Sequence, residues 1–242
     1  MKQTAKAISC LFAIICISLT TGCQAEKQND AARLALNKQS LENYTHPDRW
    51  KDTIQKFVDA DKQTPPPQDA VLFVGSSSIR MWDTKKSFPD ISTINRGFGG
   101  SFVIDSLYYA DQIILPYKPK TIVFYAGDND IACNKSPEMV AADFQSLFYK
   151  IRQTLPQTRI IYITIKPSVS RWNYWPQMMQ TNKLIENFCK EQENAYFVDV
   201  SKVLLDADGN PRKDVLKDDG LHLNEKGYEI WTSLVRPLID KK

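Results

Sequence analysis

Histidine is nearly missing from this chain: its 242 residues include two, His46 and His222. With so few, far apart, and no paired cysteines, no zinc-ligand spacing can be assembled, and no metal is expected. Of five cysteines, Cys10, Cys16 and Cys23 crowd the N-terminus. Cys133 and Cys189 remain for the folded body, as two buried thiols or one disulfide, and a redox centre is not indicated. Charge of one sign is also lacking: the formal net charge is +3, spread along the chain, which gives no electrostatic ground for a nucleic-acid partner. No Walker-type lysine accompanies "GFGG", which argues against a nucleotide-binding turn. Repeats are absent, and the length suits a single core.

Nor is the apolar stretch from Ala7 to Leu19 long enough to span a membrane, which takes about 20 residues. Behind Lys2 and Lys6, and followed by small residues, it reads as a secretory signal over residues 1–22. "LTTGC" resembles a bacterial lipobox, in which the cysteine is acylated, although Leu19 stands one place farther from Cys23 than that pattern usually has it. The resemblance implies a lipid on Cys23, a polar tether over 23–45, a folded domain over 46–242 and an address at the bacterial cell envelope. A secreted form without lipid is the alternative.

What is present is alternation. Trp50, Ile54, Phe57 and Val58 fall at helical intervals between Pro47 and Asp61, and "TPPPQ" stops that helix. Thereafter the strand-like runs "AVLFVG", "ISTINRG", "TIVFYAG", "RIIYITIK" and "AYFVDV" alternate with amphipathic stretches. Strands that alternate with helices imply right-handed crossovers and a parallel sheet covered on both faces. The expected fold is a doubly wound, three-layer α/β domain with about five central strands. Ligands in such folds bind outside the carboxyl ends of the strands.

Those strand ends carry "GSSS", "NRGFGGS", "AGDNDIACN" and "KPSVSRWNYW", and "DDGLHLNEKGY" precedes the last helix. Asp219 and His222 stand three apart, so the carboxylate can hold one imidazole nitrogen and leave the other free to accept a proton. The same two residues could merely cap the closing helix. Ser76, Ser77 and Ser78 lie where a strand turns into a helix, as nucleophile or as caps, and Gly75 permits the sharp turn. The glycines of "NRGFGGS" and the amide of "GDND" can supply donors to an oxyanion. Arg80 and Arg96 are open to an anionic group or to structural pairing.

Together, in chain order, these stretches resemble the blocks of the SGNH hydrolases, the GDSL-like esterases and lipases, from about Trp50 to the C-terminus. The resemblance implies a flavodoxin-like fold and no cofactor. It implies Ser77 as nucleophile, with Ser76 where many members have aspartate, and Asp219 and His222 as its partners. It also implies an oxyanion hole from Ser77 N–H, Gly100 N–H and the Asn129 amide. The expected activity is hydrolysis of acetyl or short-chain carboxylic esters on small molecules or glycans. Lysophospholipid or thioester hydrolysis, and non-catalytic glycan binding, are the alternatives. Trp172, Tyr174 and Trp175 follow the fourth strand and are expected to stack on a sugar ring or hold an acyl chain, or to pack a surface loop.

Overall fold

A computed structural model of the protein describes residues 38, 41–42, 44–45 and 48–240. The leader expected over 1–22, Cys23 and His46 lie outside them. Five strands form: β1 (Val71–Gly75), β2 (Thr93–Gly97), β3 (Thr121–Tyr125), β4 (Arg159–Ile163) and β5 (Ala195–Val198). Every pairing is parallel and the order is β2-β1-β3-β4-β5. Along the chain run α1 (Lys51–Gln63), α2 (Ser77–Arg80), α3 (Thr84–Ser87), α4 (Val103–Tyr108), α5 (Ala110–Ile113), α6 (Asp128–Ala132), α7 (Pro137–Thr154), α8 (Trp175–Lys190) and α9 (Glu225–Ile239).

The central strands β1, "VLFVG", and β3, "TIVFY", are buried along their whole length. A strand covered on both faces needs apolar residues on both, which is why these runs do not alternate with polar residues. Leu72, Val74, Ile122, Phe124 and Tyr162 point into one core, which α4, α7 and α8 close. Val71, Phe73, Val123, Tyr125 and Ile161 point into the other, where Trp231 and Val235 of α9 seal the sheet. The edge strands β2 and β5 are only partly buried. This is the three-layer architecture the alternation implies.

Three details differ from expectation. The first helix begins at Lys51 and runs to Gln63, because Thr64 is extended ahead of the proline run. Leu41 and Tyr44, inside the expected tether, pack against the first core, so the body extends N-terminal of residue 46. Cys133 and Cys189 are both free, and Cys133 is exposed, so neither the disulfide nor the buried pair forms. Burial pushes the Cys189 thiol up to about 12.

Arg96 of β2 pairs with Asp61 of α1, donates to the Tyr117 hydroxyl at 2.6 Å and lies 5.0 Å from the Phe57 ring centroid. Of the two arginines open to an anionic ligand, this one joins a helix to the sheet.

The chain order places the site. From β1 the chain crosses outward to β2, then returns past β1 to β3 on the other side, so the connections after β1 and β3 diverge and leave a crevice. Gly75 ends β1 with φ +138°, and a Cβ there would stand 1.9 Å from the Tyr125 carbonyl oxygen. Gly75→Ala should therefore destabilise the protein by on the order of 3 kcal/mol, read as a lowered urea midpoint.

Asp130 generates a second expectation. It is fully buried, accepts the Val103 N–H at 3.3 Å, and burial pushes its carboxyl up to about 7 despite Lys135 at 3.6 Å. An unfolded aspartate ionises near pH 4. Between about pH 4 and 7 the unfolded chain thus holds fewer protons at this site, and stability falls as pH rises. Urea midpoints at pH 5 and pH 7.5 should show that loss in the wild type, and a smaller one in Asp130→Asn.

Candidate active site

The turn after β1 is held by its own backbone. Ser76 N–H donates to the Tyr125 carbonyl at 3.0 Å, joining the end of β1 to the end of β3. The next residue, Ser77, opens α2 and is 9% exposed, at the edge of the cleft.

Against it stands a loop from the other end of the chain. His222 Nε2 lies 2.9 Å from Ser77 Oγ, and His222 Nδ1 lies 2.6 Å from Asp219 Oδ2. The other carboxylate oxygen, Asp219 Oδ1, accepts the N–H groups of Leu221 and His222, each at 2.9 Å. Acceptance from the His222 ring and then from the backbone holds the Asp219 carboxyl well below the ordinary carboxylate range. A carboxylate there requires Nδ1 to carry hydrogen, which leaves Nε2 as the acceptor facing the serine. Capping falls to another residue: the Asn224 side chain accepts Gly227 N–H at the start of α9 and donates to the Asp214 and Leu216 carbonyls. The loop is pinned further where Ser170 N–H donates to the Gly220 carbonyl at 3.1 Å.

The expected donors converge on the same place, already partly engaged. Asn129 Nδ2 donates to Ser76 Oγ and to the Ser101 carbonyl, both at 3.0 Å, and Ser77 N–H donates to Ser76 Oγ at 2.6 Å. The hydroxyl of Ser76 thus receives two of the three expected donors. Gly100, at φ +80°, has no such partner for its N–H among the described residues.

Arg171, which the sequence reading passed over, orients this amide. Its Nη2 donates to Asn129 Oδ1 at 2.7 Å, and its Nη1 sits 2.8 Å from Asp128 Oδ2. A guanidinium can only donate, so the Asn129 oxygen must face Arg171 and the nitrogen must face the serines. The available signal was a lone cation in "SVSRWNYW", at the strand end beside the acidic "GDND". Beneath lies Lys166, which is fully buried. Burial pushes its ammonium down to about 8, against the opposing pull of Asp128.

Ser77, His222, Gly100 and Asn129 line one open cleft of about 500 Å³, with Trp50, Arg80 and Leu221. A larger groove of about 850 Å³ between Trp82 and α9 contains none of them, so size does not mark the site. The expected aromatics are not brought to this cleft. Trp175 is buried in the first core, Trp172 stacks on it with centroids 5.8 Å apart, and Tyr174 packs against the same core. The start of α8 draws them inward. Trp50 takes the place instead, held by its indole N–H to Asp105 at 3.1 Å and by an edge contact with Phe98.

The model of the GDSL-like lipase/acylhydrolase family matches residues 81–230. The chain belongs to that family. It is an SGNH-superfamily carboxylic ester hydrolase, and the matched span holds Gly100, Asn129, Asp219 and His222 but starts just after Ser77. Solved structures share the fold. A Streptococcus pneumonia protein provisionally described as a platelet activating factor superposes with TM-score 0.71 at 21% identity, over 85% of this chain and 99% of that one. A GDSL-like lipase from Bacteroides thetaiotaomicron gives 0.66 at 18%, over 77% and 97%. An acetylxylan esterase from Geobacillus stearothermophilus gives 0.59 at 16%, over 73% and 96%. No curated protein matches the chain.

Replacing Arg171 with alanine leaves the buried Asp128 carboxylate uncompensated and the Asn129 amide free to turn. We expect about 3–5 kcal/mol less stability in urea unfolding. We also expect a fall in kcat of at least about tenfold on an aryl acetate, with KM less affected.

Proposed function

We propose that this ester hydrolase acts on acetyl or other short-chain esters, on small molecules or glycans, through an acyl-enzyme on Ser77. The observation that carries the reading is the contact of His222 Nε2 with Ser77 Oγ at 2.9 Å, backed by Asp219 on the far ring nitrogen. In this mechanism Ser77 Oγ attacks the ester carbonyl as its proton passes to His222 Nε2. Asp219 stabilises the imidazolium. The carbonyl oxygen, now negative, takes hydrogen bonds from Gly100 N–H, Ser77 N–H and the Asn129 amide, the last two drawn from Ser76 Oγ. His222 then gives the proton to the departing alcohol oxygen. Water repeats the sequence, freeing the acid and restoring Ser77.

Short acyl groups are favoured by the lining: Trp50 and Leu221 are the large apolar side chains on the cleft, too little surface for a long hydrocarbon chain. A glycan-linked alcohol agrees with the envelope address implied by residues 1–23 and with the acetylxylan esterase among the structural neighbours.

The test is hydrolysis of aryl esters of increasing acyl length by the wild type, Ser77→Ala, His222→Ala and the double variant. Acetate should be released fastest. Each single variant should lose about 10⁴-fold or more in kcat, and the double variant should be no worse, since the pair acts as a unit. Asn129→Ala should lose about 10² to 10³-fold. Full activity in Ser77→Ala, or faster release of long acids, would overturn the assignment.

A further inference from the structure

The cleft has a charge its chemistry does not use. Arg80 stands three residues after Ser77 on α2, so the two share a helix face with about 5–6 Å between Cβ atoms, and both line the cleft. Its guanidinium lies against Gly99, where a Cβ would come 2.7 Å from Nε and 3.0 Å from Nη2. Gly99 does not adopt the left-handed backbone, so the missing side chain there makes room for the arginine rather than a turn.

Four other arginines of the body have a carboxylate partner, Arg96 with Asp61, Arg171 with Asp128, Arg212 with Asp214 and Arg236 with Asp90, and Arg152 and Arg159 donate to backbone carbonyls. Among the described residues the Arg80 guanidinium has no carboxylate partner. Arg49 likewise has no carboxylate partner among the described residues, but it lies outside the cleft lining, against the Trp50 and Phe102 rings. It lies 4.8 Å from the Trp50 ring centroid, and its Nη2 would be 3.7 Å from a Cβ at Gly100. No aspartate or glutamate lines the cleft. The site's carboxylates, Asp219 and Asp128, are committed to His222 and Arg171. An incoming ester therefore meets one cation beside the nucleophile, Arg80, that no carboxylate compensates.

We propose that the natural substrates are esters whose alcohol portion carries an anion, a carboxylate or a phosphate, and that Arg80 is the residue that selects them. The proposal rests on the short-acyl esterase reading above, because an acetyl group leaves only the alcohol portion to bear the charge. The separation of Arg80 from Ser77 places that anion a few bonds from the scissile ester oxygen. A guanidinium at this position forms charge-assisted, two-pronged hydrogen bonds to either anion.

Two matched pairs test it: 2-acetoxypropanoate against its methyl ester, and 1-acetylglycerol 3-phosphate against its dimethyl ester. In the wild type kcat/KM should favour the anion by about tenfold or more, expressed in KM, and the preference should shrink as sodium chloride is added. Arg80→Gln should bring the ratio toward one, and Arg80→Lys should keep part of it. Because the ratio is taken within each variant, loss of active protein does not disturb it. A preference confined to the carboxylate pair assigns an acidic alcohol such as a uronate, and one confined to the phosphate pair assigns a phosphorylated alcohol. A wild-type ratio near one in both pairs, with the neutral esters still cleaved, overturns the proposal alone. So does a ratio that survives Arg80→Gln. Failure to cleave any of the four acetates, with aryl esters of longer acids still cleaved, removes the short-acyl reading and the proposal with it.

Discussion

The parallel pairing of β1 with β3 is the constraint on which the rest depends. It sets Gly75 against Tyr125, so the turns that follow those strands start side by side. Ser77 and Asn129, far apart in the chain, become neighbours through two hydrogen bonds that both end on Ser76 Oγ. The pairing needs glycine at position 75, since a Cβ there would collide with the Tyr125 carbonyl. Burial of both strands on both faces supplies its free energy.

Around that fixed point the sheet edge collects loops of different stiffness. The serine and asparagine are set by strand ends, whereas His222 arrives on a loop held by Asn224, by the Ser170–Gly220 bond and by the Leu216–Leu223 bridge. Asp219 spends one oxygen on this loop's backbone and the other on the imidazole. One carboxylate thus shapes the loop and fixes the tautomer. Arg171 does the equivalent for the Asn129 amide, and Asp128 neutralises it. The imidazole and the amide are each oriented by a charged neighbour, which keeps them aimed without reorganisation.

The layered fold was legible in the sequence because a buried parallel strand writes itself as an unbroken apolar run, and five such runs alternate with amphipathic segments. The strand-end residues were legible for a related reason: polar residues in "GSSS" and "GDND" directly after such runs can only sit at the sheet edge. What stayed hidden depends on side-chain direction. Nothing in "SVSRWNYWPQMM" tells that Trp175 turns into the core while Arg171 turns toward Asn129, because helix α8 begins within that stretch and its rotation is set by packing. In the sequence Trp50 is one apolar position in a helical pattern, and it stands at the cleft because Asp105 takes its indole N–H. Arg80 and Arg96 looked alike in sequence and were separated only by the carboxylate Asp61, which comes from α1 to one and not to the other.

In the proposed mechanism Ser77 Oγ, and not the hydroxyl of Ser76 or Ser78, is the atom that becomes acylated. The most direct measurement of this is the site of covalent attachment. The protein is labelled with a fluorophosphonate, digested, and the adduct located by fragment-ion mass spectrometry, with His222→Ala labelled in parallel. The phosphonyl group should be found on Ser77 in the wild type, and labelling should be at least about a hundredfold slower without the imidazole. An adduct on Ser76 or Ser78, or equal labelling in the absence of His222, would contradict that assignment.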